Sequence, residues 1–386
     1  MTTLTSALGR PLRLAVIGGG PGSFIGSIHR GGATLDGHFQ VVAGAFSSDP
    51  ERSRQAAIDL HIERGYASGA ELIDAEAGRP DRPDVIAIMT PNNSHHALAR
   101  QALARGFHVM CEKPLTLTAA EADDLVQAAR QADRLFCVAY AYTGFPMVRQ
   151  ARRMIADGVL GELRMVQCEY LQGHLARVSE AETRATDWHF DPAVSGSSLI
   201  LGEIGTHAWH LAQFVSGMQP SALTAEVCAT APGRQAHDYA TVMTRYDNGA
   251  RGMIWVTQAA AGAEHGLKFR IFGTEGGLEW HQQQPNELIY RPLDQPCQVL
   301  VKGGPGLSEA ARRVSRVVIG HPEGYQEAFA SLYHDLAEAV VARETGQTSL
   351  SADNAFPTVE DGADGMHFIE TALRSVAEGG VWVPMR

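Results

Sequence analysis

The chain has 386 residues, 45% of them hydrophobic, which exceeds the usual size of one core and predicts two domains. A formal net charge of −11, with no Lys/Arg run, argues against nucleic-acid and anionic-membrane partners and points to a small ligand. Five cysteines without C-x-x-C spacing, a leading MTTLTSALGRPLR with no apolar core, and no apolar run near the ~20 residues of a membrane span predict a reduced, cytoplasmic setting.

In chain order, Leu12, Leu14, Val16 and Ile17 suit a strand buried on both faces. Gly18, Gly19, Gly20 and Gly22 follow, where missing side chains let a pyrophosphate approach backbone N–H groups, and Ser23–Arg30 opens a helix whose positive end faces it. Gly18 and Gly20 fit the first two glycines of G-x-G-x-x-G, but the third counterpart, Gly26, comes three residues late. The expected cofactor loop is therefore Gly18, Gly20, Gly22, Ser23, Phe24 and Ile25. Strands are predicted over 39–46, 84–89, 107–111 and 135–139, and helices over 52–61, 94–105 and from a Thr118/Glu121 capping box to about Ala132. That alternation implies an α/β class: a doubly wound parallel Rossmann sheet over residues 1–140, with ligands beyond the carboxyl ends of its strands.

Past Gly144 the pattern changes. Pro146–Asp157 reads as a helix, and candidate strands at 163–171, 223–229, 239–246, 251–260, 267–272, 277–281, 286–291 and 297–302 describe a large, mostly antiparallel open sheet. Helices are expected at 203–215, near 323–343 and at 360–377. Residues 141–386 thus form an α+β domain for substrate and oligomerisation, its final helix packing back on the first domain, and its free sheet face pairing with another subunit.

Three stretches carry chemistry. At the end of the second strand, where an acid would accept the ribose hydroxyls of NAD, the chain has Ser47 and Ser48 with Arg52 nearby, which favours NADP; Asp49, or simple helix capping by this stretch, is the alternative. Lys113, in Cys111-Glu112-Lys113-Pro114, sits at a strand end where an oxidised nicotinamide would lower its pKa toward proton transfer; on the tetrapeptide alone, a surface lysine before a helix is the stronger reading. Glu203 and His207 are four apart, so on a helix the carboxylate and imidazole share one face and can pair. A metal held by Glu203, His207 and His210 lacks the H-E-x-x-H order, and no metal is expected.

Taken in order, the glycine turn, Thr90-Pro91-Asn92 followed by His95, Glu112-Lys113-Pro114, and Gly202-Glu203-x-x-x-His207 resemble the Gfo/Idh/MocA oxidoreductases across nearly the whole chain. The resemblance implies hydride transfer between a secondary alcohol of a sugar, cyclitol or related polyol and NAD or NADP, in a homodimer or homotetramer built on the C-terminal sheet. It assigns Lys113, His207 and Glu203 to catalysis, and Thr90, Pro91, Asn92, His95, Glu112, Lys113 and Trp188 to the cofactor. Lys113, Tyr142, Glu203 and His207 would line the substrate. Departures are Glu203 where the family usually has Asp, the extra Pro21-Gly22-Ser23 segment, and His189 where arginine is common. Relatives that cleave glycosidic bonds with a bound NAD, or that act as non-catalytic sensors, are the alternatives; the joint presence of Lys113 and His207 argues against the sensor.

Overall fold

Strand β1 (Leu12–Gly18) takes parallel partners on both sides, β2 (Phe39–Ala45) and β4 (Val85–Met89), so its Leu12, Leu14 and Val16 are wholly buried. With β3 (Arg64–Gly65), β5 (His108–Cys111) and β6 (Phe136–Val138) they form one sheet of order β3-β2-β1-β4-β5-β6. The order reverses between β1 and β4, and the crevice at that reversal is where such sheets bind ligands. The connecting helices are α1 (Phe24–Leu35), α2 (Pro50–Asp59), α3 (Gly69–Ala77), α4 (His95–Ala104) and α5 (Ala119–Ala132). The computed structural model describes residues 4–183, 187–346 and 356–385.

The chain divides into two compact units. The first comprises Met1–Thr116, Ala120–Gly144 and Tyr325–Ala363, and the second Leu117–Ala119, Phe145–Gly324 and Asp364–Arg386. The segment returning to the first unit is thus centred on the penultimate helix, Tyr325–Thr345, whereas most of the final helix, Val359–Ala377, lies in the second. Side chains explain the difference. Phe329, Leu332, Tyr333 and Leu336 join the same core as Leu12, Val16 and Phe39. On α1, Gly32 permits the close approach, because a Cβ there would stand 2.9 Å from Phe329 Cβ. In the second unit, Trp209 stacks on Phe368 with centroids 4.3 Å apart, and Trp209 Nε1 donates to Asp364 at 2.7 Å, which holds the final helix there.

A buried histidine in the first unit sets a pH limit on stability. His108 Nδ1 accepts from the Leu135 N–H at 2.9 Å, an arrangement that requires a neutral ring. Burial, and then the neighbouring Arg134 charge, bring its pKa down to about 4. The unfolded imidazole titrates near 6.5, so the unfolded state takes the proton first and stability falls as pH drops from about 6.5 to 4, by on the order of 3 kcal/mol in full. Urea titrations at a series of pH values should show this loss between pH 7 and 4.5 markedly reduced in His108→Gln.

The second unit is built on a nine-stranded sheet of order β14-β13-β12-β11-β7-β10-β9-β8-β15. Its strands are β7 (Leu163–Gln172), β8 (Ala222–Cys228), β9 (Tyr239–Arg245), β10 (Arg251–Thr257), β11 (His265–Gly273), β12 (Gly276–His281), β13 (Glu287–Pro292), β14 (Gln298–Val301) and β15 (Val383–Pro384). Every pairing is antiparallel except β7 with β10. On β11, Leu267, Phe269 and Ile271 are buried while Lys268 and Arg270 alternate with them, the period-2 mark of a sheet covered on one face. Met165 and Met243, 53% and 50% exposed, lie on strands β7 and β9 of this sheet.

Candidate active site

The glycine turn of the first unit works by close approach. Gly18, Gly19 and Gly22 have φ of 86°, 64° and 82°, values costly for residues with a Cβ. A Cβ at Gly18 would lie 2.5 Å from the Met89 carbonyl oxygen, and one at Gly20 2.8 Å from that of Phe46. Gly26, the late third glycine, is the helix-packing one, since its Cβ would stand 2.1 Å from the Gly19 carbonyl oxygen. Ser23 is the N-cap of α1, its Oγ accepting from the Gly26 N–H at 3.2 Å. The first-turn N–H groups of α1 thus sit beside the loop, as a phosphate requires. Ile25 is half-buried in this first turn, and exposed Phe24 stacks on Tyr325, centroids 6.0 Å apart, with Tyr142 on the same ring at 6.0 Å. Arg30 also donates to the Gly19 carbonyl. The motif pattern draws attention to neither Tyr325 nor Arg30.

At the end of β2, Ser47 and Asp49 organise the start of α2. Asp49 caps α2 by accepting from Arg52 N–H at 2.8 Å, and Ser47 Oγ accepts from Asp49 N–H at 3.1 Å. Ser48 and the Arg52 and Arg54 side chains are exposed.

His95 braces the next two turns. It is fully buried, with Nε2 2.8 Å from the Thr90 carbonyl and Nδ1 3.0 Å from the Pro114 carbonyl, so it ties the Thr90-Pro91-Asn92 turn to the Glu112-Lys113-Pro114 turn. Burial lowers its pKa, against the pull of those two carbonyls. Asn92 is buried, Pro91 is exposed, and Ser94 Oγ donates to Thr90 Oγ1 at 2.6 Å. Glu112 is buried beside half-buried Lys113, its Oε2 accepting from the Lys113 N–H at 3.0 Å.

In the second unit, the α-helical register expected from Glu203 onward begins only at Thr206. Leu201–Gly205 is a π-turn, closed by a hydrogen bond from the Thr206 N–H to the Leu201 carbonyl, and the helix then runs Thr206–Ser216. Such turns recur at functional sites. Glu203 Oε2 lies 3.4 Å from His189 Nε2, and His189 Nδ1 lies 2.5 Å from Asp187 Oδ1. Trp188 stacks on His189 at 3.8 Å between centroids. His207 is buried, its ring 6.4 Å from that of Tyr170. Asp187 and Tyr170, unmarked by any motif, therefore join Glu203, His207, Trp188 and His189 among the second unit's candidate residues.

A glycine turn feeding a helix at the switch point of a doubly wound sheet, with lysine and histidine at candidate positions for proton transfer, defines a nicotinamide-dependent oxidoreductase. Family comparison agrees. Residues 12–140 match the oxidoreductase family NAD-binding Rossmann fold, and residues 148–279 the GFO/IDH/MocA C-terminal domain. The chain belongs to the Gfo/Idh/MocA family of oxidoreductases. It is 35% identical to the oxidoreductase YfiI of Bacillus subtilis (strain 168), over 98% of both chains. Among solved structures it is similar to an inositol dehydrogenase homolog of Azotobacter vinelandii complexed with NAD+, at a TM-score of 0.93, 38% identity and 97% coverage of each chain. A second structure of an inositol dehydrogenase homolog from that organism, with NADH and myo-inositol, gives a TM-score of 0.90 at 37% identity, covering 97% of this chain and 98% of that one.

Proposed function

We propose that this enzyme oxidises a secondary alcohol on a polyhydroxylated ring, a cyclitol or a pyranose, with Lys113 and His207 handling the hydroxyl proton as hydride passes to the nicotinamide. The observation that carries the reading is Lys113 at the carboxyl end of β5, held at its own N–H by buried Glu112 in the cofactor-binding sheet. Support for the substrate class comes from the relative solved with myo-inositol. Screening ring polyols with each cofactor, followed at the absorbance of the reduced nicotinamide, tests it; turnover confined to acyclic alcohols would overturn it.

For the cofactor we infer NADP. Asp49 is engaged in capping α2, the β2 end offers Ser47 and Ser48 in place of a free acid, and exposed Arg52 is available to a 2′-phosphate. Arg52→Ala should lower kcat/KM for NADP by about tenfold while changing that for NAD less than about twofold. An equal effect on both cofactors would remove Arg52 from this role.

A homo-oligomer formed through the open sheet face is part of the same reading, supported by exposed Met165 and Met243. Light scattering should give a dimer or tetramer for the wild type and a smaller species for the Met165→Lys/Met243→Lys double variant. A wild-type monomer would refute it. The five free thiols fit a cytoplasmic enzyme, and among the described residues no helix is long and apolar enough to cross a membrane.

A further inference from the structure

Three segments distant in sequence meet beneath Lys113. His29, on α1, is wholly buried. Its Nε2 lies 2.9 Å from Glu112 Oε1 and its Nδ1 2.8 Å from Tyr333 Oη, on the helix Tyr325–Thr345. Glu112 spends its other oxygen, Oε2, on the Lys113 N–H. Phe329 packs edge-on to the His29 ring at 4.8 Å and Phe39 edge-on to Tyr333 at 5.5 Å, so both rings are confined by apolar neighbours. Nε2–H faces the carboxylate both in the neutral ring, with Tyr333 donating to Nδ1, and in the protonated ring, with Tyr333 Oη accepting from Nδ1–H.

An ion-pair arrangement of this kind is a poor device for stability alone. Desolvation offsets most of the attraction, and well-packed apolar residues commonly serve as well or better. Here the carboxylate is spent on the residue expected to move a proton.

We propose that His29 and Tyr333 are positioning residues for Lys113, acting through Glu112: they hold the buried carboxylate where it fixes the lysine backbone and stabilises the ammonium form of its side chain. This rests on the reading of Lys113 as a proton-transfer group. Burial pushes the Glu112 carboxyl up, but the hydrogen bond and charge of His29, and then the charge of Lys113, outweigh it and hold the group below the usual carboxylate range. The other titratable neighbours are His95, which burial draws down, and Cys111, Cys137 and Tyr333, which burial pushes up.

The test uses the full chain, NADP or NAD, and the fastest ring substrate of the screen. Glu112→Gln should lower kcat about tenfold or more and move the limb along which kcat rises with pH down by about one pH unit, because the amine loses the carboxylate that favours its charged form. His29→Leu should lower kcat similarly, His29→Gln, which keeps one donor toward Glu112, should recover most of it, and Tyr333→Phe should cost less than about threefold. Dinucleotide Kd should stay within about threefold in the folded His29 and Tyr333 variants. If Lys113→Met turns over normally, the reading of Lys113 fails and this inference with it. If Lys113→Met is inactive while folded Glu112→Gln and His29→Leu keep the wild-type rate and pH profile, this inference alone is overturned. Should His29→Leu fail to fold, the pH profiles of Glu112→Gln, His29→Gln and Tyr333→Phe decide.

Discussion

Lys113→Met should lower kcat by a factor on the order of 10² or more with dinucleotide affinity little changed, and His207→Ala should do the same. The expectation follows from what each group is asked to supply. A positioned acid or base contributes about 10²–10⁴-fold when it acts on a proton in the transition state, whereas on the proposed reading the glycine loop and the strand ends hold the phosphates and ribose. Lys113 is half-buried at a strand end and His207 is buried on a helix, so neither substitution disturbs the nucleotide turn. Stopped-flow hydride transfer and calorimetric titration of the dinucleotide together check it. Glu203 should behave differently. With its carboxylate 3.4 Å from His189 Nε2, Glu203→Gln should raise KM more than it lowers kcat, as for a side chain that holds substrate rather than orients His207. A kcat loss with a shifted pH profile and unchanged KM would return it to the orienting role.

Gly20→Val should abolish dinucleotide binding, and Gly26→Val should do so while also destabilising the fold. At Gly20 a Cβ would lie 2.8 Å from the Phe46 carbonyl oxygen, so the loop must shift away from the phosphate position. Gly26 is the harsher site. The Cβ contact there is 2.1 Å with the backbone oxygen of Gly19, which cannot rotate away, so α1 must withdraw from the strand. Overpacking of this kind costs roughly 1–3 kcal/mol or more, and the N–H groups of the first turn move with the helix. Calorimetry should show at least a hundredfold loss of affinity, on the order of 2.7 kcal/mol, in both variants. Unchanged affinity in folded Gly20→Val would mean that the phosphate is held elsewhere.

The strands of both sheets were legible because their patterns are strong: continuous apolar runs such as Val85–Met89 for a sheet buried on both faces, and alternation such as Leu267-x-Phe269-x-Ile271 for one buried on a single face. Helix α3 and strands β3 and β15 were not read, because β3 and β15 have only two residues each and α3 buries just Leu72, Ile73 and Glu76. Yet α3 had a readable start: Ser68 accepts from the Glu71 N–H at 3.1 Å and Glu71 reaches back to the Ala67 N–H at 3.0 Å. The return of Tyr325–Thr345 to the first unit left no local trace, since that helix is buried around much of its circumference and its partner surface, Gly32 with Phe39, lies some three hundred residues earlier. Motif order nominated the glycine turn, Lys113 and His207 as site residues. It could not show the π-turn before Thr206, nor that His29 lies against Glu112, because both are set by tertiary packing.

The most direct measurement is the stoichiometry of cofactor reduction against ring-polyol consumption, in the wild type and in Lys113→Met. The wild type should accumulate one reduced nicotinamide for each alcohol oxidised, and Lys113→Met should bind the dinucleotide yet accumulate almost none. Consumption of a glycoside without net cofactor reduction, or wild-type rates in Lys113→Met, would contradict the account.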